Sequence, residues 1–346
     1  MAYRIKTSDI DKYRQLSPAQ GSQIYASLRT LVIKAGILDR DYGFYFYQTL
    51  LTITGFFYCI YQYYSSDNIL LLTIWGGLIA FFTVQIGGLI HDAGHRAIFK
   101  STILNDITGF MFSTLVMFGY TNWLATHNAH HAAPNTEDED PDLGIPWAFT
   151  EDKIKEARGL KRLILKHQLW LYYPLGTFAI ALTRFGNMKY YYQKRHKIQV
   201  VVEMLTFFLG FILWYILPIL IFPPVKAVLF LILTNNLTSI YLINVFAPNH
   251  KGMPQLGKNV QFSFLEKQII TARNIYGHWM TDYLYLGLNY QIEHHLFPSC
   301  PRNKLHLIRP YVLDICKKYS LPYMETSIIG SNRMILSELK KISAAK

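Results

Sequence analysis

Eight of the twelve histidines in this chain stand where they can act together: His91 and His95 in HDAGH, His127, His130 and His131 in HNAHH, His250 in APNH, and His294 and His295 in QIEHH. Spacings of three and four residues bring side chains onto one face of a helix. Neutral imidazole is a nitrogen donor suited to iron, zinc, copper or nickel, and eight donors exceed the four that a single zinc takes. Two metal ions fit the count, and a pair of redox ions suits oxygen chemistry. QIEHH differs from HNAHH in having Gln291 where His127 stands. Gln291 lies one helical turn before His294, which aims it at the metals as a weak carbonyl ligand or as an orienting neighbour.

Such a site needs elements that hold it, and the composition says which. Hydrophobic residues make up 51% of the 346 residues and charged residues only 16%, an unusual balance for a soluble protein. The apolar residues gather in four runs, about 44–64, 69–90, 200–222 and 225–246. Each is close to the roughly 20 residues that a helix needs to cross a bilayer. Glu203 is the one carboxylate within them, and Lys226 sits in a short turn. Ser65-Ser66-Asp67-Asn68 and Pro223-Pro224 break the runs into two hairpins.

An even number of spans puts both termini on one side. Of the lysines and arginines, seven fall in residues 1–43, thirteen in 91–199 and thirteen from 247 onward. The positive-inside rule then predicts cytoplasmic termini, with the histidines on the same side. The net charge of +12 follows from that topology, so no nucleic-acid partner is expected, and anionic lipid head groups are favoured. The first 43 residues show no short apolar stretch with a small-residue cleavage site, so no signal peptide is expected. Cys59, Cys300 and Cys316 form no paired spacing. Two shorter apolar segments, 104–120 and 169–183, are expected to lie along the interface or to re-enter partway. The acidic run Glu137-Asp138-Glu139-Asp140-Pro141-Asp142 reads as a solvated loop.

Other chemistries weigh less. HDAGH loosely matches the zinc-protease pattern His-Glu-x-x-His, with Asp92 for the general base, but that mechanism leaves the other groups without a task. A membrane metal-binding or transport protein predicts polar ligands at mid-bilayer. Asn235 and Asn236 alone qualify, and interhelical hydrogen bonding explains them.

HDAGH, then HNAHH followed by AAPNTEDEDPDLG, then LGLNYQIEHHLFPSCPR resemble the three histidine boxes of the membrane fatty acid desaturases, in order, across residues from about 90 to 310. The glutamine-type third box is similar to that of front-end and bacterial acyl-CoA desaturases. The resemblance implies a non-haem di-iron enzyme that uses O2 and two electrons to remove hydrogens from adjacent carbons of an acyl-CoA or acyl-lipid, leaving a cis double bond and producing water. It makes His91, His95, His127, His130, His131, His294 and His295 iron ligands. His250 takes the role of the extra ligand after the fourth span, with Gln291 as a weaker candidate and His278 as a rival to His250. His167, His196 and His306 read as solvated or head-group-binding residues. An acyl-chain hydroxylase on the same scaffold is the nearest enzymatic alternative.

No His-Pro-Gly-Gly haem motif, Gly-x-Gly-x-x-Gly fingerprint or iron-sulfur cysteine spacing occurs. No internal haem, flavin or NAD site is therefore expected, and electrons must come from a separate b-type cytochrome or a ferredoxin with its reductase. Trp123, four residues before His127, is a candidate substrate wall. Arg184 with Lys189, Lys194, Arg195 and Lys197 forms a basic stretch able to meet phosphates of coenzyme A or a phospholipid, or to set topology. The expected architecture is an all-α, multi-pass integral membrane protein. Its four transmembrane helices form two hairpins, with a cytoplasmic helical cap holding the di-iron site: segment 1–43, desaturase domain 44–310, cytoplasmic tail 311–346.

Overall fold

The computed structural model describes residues 4–5, 14–144, 147–148 and 150–344, so parts of the 1–43 segment and the last two residues of the expected tail lie outside the described residues. The chain forms two compact units. One comprises Arg40–Ala125 and Leu175–Asn244, the other Met1–Asp39, Thr126–Pro174 and Val245–Lys346.

The first unit holds the long apolar helices. Tyr42–Ser65 starts at Asp41, whose side chain accepts from the Phe44 amide, and Ile69–Gly94 starts at Asn68, which accepts from Leu70 and Leu71. These side chains satisfy amide groups that a helix start leaves unpaired. Two further stretches, Ile198–Ile221 and Pro224–His250, each contain one π-helical turn, Ile212–Ile216 and Leu233–Leu237. Pro223 and Pro224 separate them, with Pro224 opening the second at a position where a missing N–H costs nothing. Phe56, Tyr63, Ile79, Ile86, Ile90, Phe207, Trp214 and Phe230 share one core. Many of the outward side chains are also apolar, such as Leu70, Phe208, Leu220 and Val225.

Among the described residues, three helices are long and apolar enough to span a bilayer: Ile69–Gly94, Ile198–Ile221 and Pro224–His250. A fourth candidate differs from the expected one. It is the pair Thr102–Leu115 and Tyr120–Ala132, bent by 117° and able to count as one broken span or a re-entrant loop. The first apolar run does form a 24-residue helix, Tyr42–Ser65. Its tyrosines, threonines and glutamines lower its mean hydropathy, and Gln48 and Thr52 are buried. The segment 169–183 divides into two helices, Gln168–Gly176 and Ala179–Lys194.

The second unit packs helices Pro18–Lys34, Phe264–Ile270, Gln291–Leu296 and Leu305–Lys318 around Leu28, Val32, Leu265, Ile269, Ile292, Leu296, Ile308 and Val312. Ser17 and Gln20 form a reciprocal capping box at the first of these. The described residues are mostly helical, and among them two-residue strands form two parallel pairs, Arg4–Ile5 with Gln255–Leu256 and Asn274–Ile275 with Glu325–Thr326.

Candidate metal centre

In the second unit the imidazoles of His130, His250 and His295 converge. All three are buried, and their ligand atoms lie within 4.8 Å of one another. Each ring has one nitrogen anchored. His130 Nδ1 lies 3.0 Å from both Asp140 carboxylate oxygens, His250 Nδ1 lies 3.1 Å from the Thr271 carbonyl, and His295 Nδ1 lies 2.8 Å from Gln268 Oε1. An acceptor on Nδ1 fixes the proton there and leaves Nε2 with its lone pair turned inward.

His130 Nε2 and His250 Nε2 are 3.4 Å apart, and the buried His295 Nε2 meets no hydrogen-bond partner among the described residues. Burial, reinforced by the neighbouring histidines, pushes His295 well below the usual imidazole range. A neutral ring is what a metal ligand requires.

A second group lies in the same unit. His127 Nε2 lies 3.1 Å from His131 Nε2, which lies 3.2 Å from His294 Nε2. Ligands about 2.1 Å from a common ion are roughly 3.0–3.4 Å apart at tetrahedral or octahedral angles, so these separations suit shared coordination. The donor set is all-nitrogen, and it fits a transition metal better than calcium or magnesium.

In the first unit His91 and His95 stand at the C-terminal end of Ile69–Gly94, with ring centroids 4.6 Å apart. His91 Nδ1 lies 3.3 Å from Asp92 Oδ1, and Tyr45 donates to Asp92 Oδ2 at 2.9 Å. Asp92 thus orients a histidine, whereas the protease reading needs it as a base. The Trp123 ring lies 5.8 Å from His91 and 6.3 Å from His95. A Cβ on Gly94 would come within 2.5 Å of that ring, so the glycine is what admits it.

Gln291 is buried. Its Oε1 accepts from Asn249 Nδ2 at 3.0 Å, and its Nε2 lies 2.8 Å from His250 Nε2. Asn249 Nδ2 also donates to the Val245 and Leu288 carbonyls, which sets its orientation and makes Gln291 the acceptor. His278 is exposed and accepts from the Met280 amide at the start of Trp279–Leu284. His167, His196 and His306 are exposed. Arg184 spends its guanidinium inside the first unit, on Tyr215, Asn235 and the Val116 and Met117 carbonyls, while Lys194 and Arg195 are exposed.

Several anchors escape sequence reasoning. Asp140 is buried in a run read as a solvated loop, and it also accepts from the Asn135 and Asp142 amides. Burial would raise its carboxyl, but hydrogen bonds from His130 and the Asp142 amide, with the charges of His130 and Lys251, hold it below the usual range. Asn135, in the left-handed region at φ 52°, extends its amide to the carbonyls of His250, Pro254 and Thr271. Gln268 serves His295 with its oxygen and donates to the His131 carbonyl. The sequence signal for Asp140 was its place ten residues after His130, and Asn135 lies in the AAPNTEDEDPDLG stretch that follows HNAHH; Gln268 carries none.

Apolar helices of spanning length together with buried histidine groups fit a multi-pass membrane protein with a metal site. The chain belongs to the fatty acid desaturase family, whose model matches residues 68–327. It is similar to an acyl-lipid (9-3)-desaturase of Borago officinalis, 30% identical over 94% of this chain and 76% of the relative. It is also similar to a delta(8)-fatty-acid desaturase of Euglena gracilis, 28% identical over 89% and 76%. A delta(5) fatty acid desaturase of Caenorhabditis elegans is 28% identical over 88% and 70%. The protein is accordingly an oxidoreductase of the desaturase family.

Proposed function

We propose that the protein inserts a cis double bond into the acyl chain of an acyl-lipid or acyl-CoA, with two irons held by His91, His95, His127, His130, His131, His250, His294 and His295. The observation that carries this reading is the group His130, His250 and His295, in which every Nδ1 is anchored and every Nε2 is turned toward the others. The acyl-lipid carrier draws support from the name of the borage relative.

When bound, the iron pair supplies the activation of O2 and the removal of two hydrogens from adjacent carbons, with two electrons and two protons completing the reduction to two waters. The protein's own part is to keep the imidazoles aimed, and to keep bulk water out. Burial of His130, His250, His294 and His295 serves the second task. Trp123, whose ring lies tilted to His91 and edge-on to His95, is a fitting wall for the chain near its reacting carbons. Lys194 and Arg195 are placed in solvent reach to meet phosphate groups, whereas the Arg184 guanidinium is engaged internally.

Two membrane hairpins with cytoplasmic termini fit the charge distribution. Support for the pairing comes from Lys226, whose Nζ donates to the Tyr64 carbonyl at 2.7 Å and meets Asp67 at 3.3 Å, joining the two short turns. Electrons are drawn from a separate b-type cytochrome or a ferredoxin with its reductase.

The test is expression in a host with a defined acyl pool and a competent electron donor, followed by mass-spectrometric location of new double bonds. Hydroxylated chains without double bonds would replace the reading by a hydroxylase. An unchanged pool would favour a metal-binding membrane protein.

A further inference from the structure

His250 is the one proposed ligand that no histidine box defines, and it stands at the weakest turn of its helix. Pro248 lies inside Thr238–His250 and has no N–H to give to the turn before it. The helix end leaves carbonyls without intrahelical donors. One segment, 271–273, supplies what is missing.

The Thr271 carbonyl lies 3.1 Å from His250 Nδ1, and the Arg273 amide donates to the Asn249 carbonyl at 2.9 Å. The Arg273 side chain is wholly buried. Its Nε donates to the Pro248 carbonyl at 2.8 Å, and its Nη2 donates to the same oxygen and to the Lys251 carbonyl at 3.0 Å. Its Nη1 rests against the sulfurs of Met253 and Met334. No carboxylate among the described residues pairs with it.

A buried guanidinium without a counter-ion is costly. The helix C-terminus offsets that cost with the negative end of its dipole. The rigid fork of donors ties carbonyls on both sides of residue 250 at once, a geometry that lysine's single ammonium lacks.

We infer that Arg273 is a positioning residue that locks the backbone on both sides of His250 and so aims His250 Nε2 at the metal. The inference rests on the proposal that His250 is a ligand. Arg273 touches neither metal nor substrate, and it acts through the carbonyls of Pro248 and Lys251 and through the register of Thr271.

The experiment titrates Co2+ into metal-free, full-length protein in detergent, reading affinity and the visible ligand-field bands, with folding followed by thermal melting. Arg273→Met should bind Co2+ about tenfold more weakly at one site and alter its bands. Arg273→Lys should fall between Met and wild type.

A lowered melting temperature with wild-type affinity and bands in Arg273→Met would show a merely structural role and overturn the inference. If Arg273→Met does not accumulate folded, Arg273→Lys decides: weakened binding supports the role, and wild-type binding overturns it. Failure of the metal reading itself looks different, because His295→Ala would then bind Co2+ as wild type does.

Discussion

Asn249 donates through Nδ2 to the Gln291 side-chain oxygen at 3.0 Å, and the amide nitrogen of Gln291 lies 2.8 Å from His250 Nε2. The third box therefore meets the residue beside His250 through its glutamine. Direct ligation through the Gln291 oxygen would cost the Asn249 bond.

This relationship predicts an order of variants. Gln291→Ala leaves a buried gap beside His250 and removes one of the three acceptors around Asn249 Nδ2, at a cost of about 0.5–1.5 kcal/mol for the lost hydrogen bond. Gln291→His keeps volume and a polar edge toward His250. The histidine variant should retain some desaturase activity and the alanine variant less, measured as new double bonds per unit of membrane-inserted protein. Equal loss in both would mean that the amide itself is required.

Asp140 supplies a second prediction. It orients His130 from 3.0 Å and is itself held by the Asn135 and Asp142 amides. Asp140→Asn preserves shape but weakens the acceptor for Nδ1, and an orienting partner of this kind is worth roughly 10- to 100-fold in metal affinity. Iron per protein after purification should fall, while Asp138→Asn, whose side chain is exposed beside Lys258, should leave it unchanged. Full iron loading in Asp140→Asn would remove that role.

What the sequence made legible follows from periodicity and composition. Spacings of three and four residues located the histidine groups because each group lies on or ends a helix. The apolar runs located the long helices, and Pro223-Pro224 located their break. Partners that arrive from distant chain positions stayed hidden. Gln268 reaches His295 across 27 residues, and Asn135 reaches the His250 carbonyl across 115. Nothing local marks Gln268, and the stretch after HNAHH that contains Asn135 does not say what Asn135 reaches. The charge run around Asp140 is a largely exposed loop, as read, apart from the one carboxylate, Asp140, that folds inward. The run at 44–64 forms the helix Tyr42–Ser65, whose tyrosines, threonines and glutamines make it less apolar than the other long helices.

Arg184 separates two uses of a basic residue. Its guanidinium donates to Tyr215 at 2.5 Å, to Asn235 at 2.6 Å and to the Val116 carbonyl at 3.1 Å, which links both π-helical turns to the end of Thr102–Leu115. Losing several charge-assisted bonds in a buried place should cost about 3 kcal/mol. Arg184→Met should therefore melt at markedly lower temperature in detergent. Lys194→Gln with Arg195→Gln should leave melting unchanged and raise the KM for the acyl substrate. An unchanged melting temperature in Arg184→Met would show that these bonds contribute nothing to the fold.

Glu203, the carboxylate that stood out within the apolar runs, is buried and accepts from the Thr121 amide with both oxygens at 3.1 Å and from the Thr121 hydroxyl. Thr121 is in the first turn of Tyr120–Ala132, the helix that carries His127, His130 and His131. Helix starts expose unpaired amides and the positive end of the dipole, so a carboxylate there is stabilising, and its loss costs about 0.5–2 kcal/mol. Glu203→Gln keeps an oxygen for one of these donors, and Glu203→Ala keeps none. Iron content and activity should fall in the order Glu, Gln, Ala. Thr121→Val removes only the hydroxyl, so it should fall less than Glu203→Ala. Combined with Glu203→Ala, it should add nothing further, since the partner is already gone. Additive losses in the double variant would mean that Glu203 acts elsewhere than on this helix start.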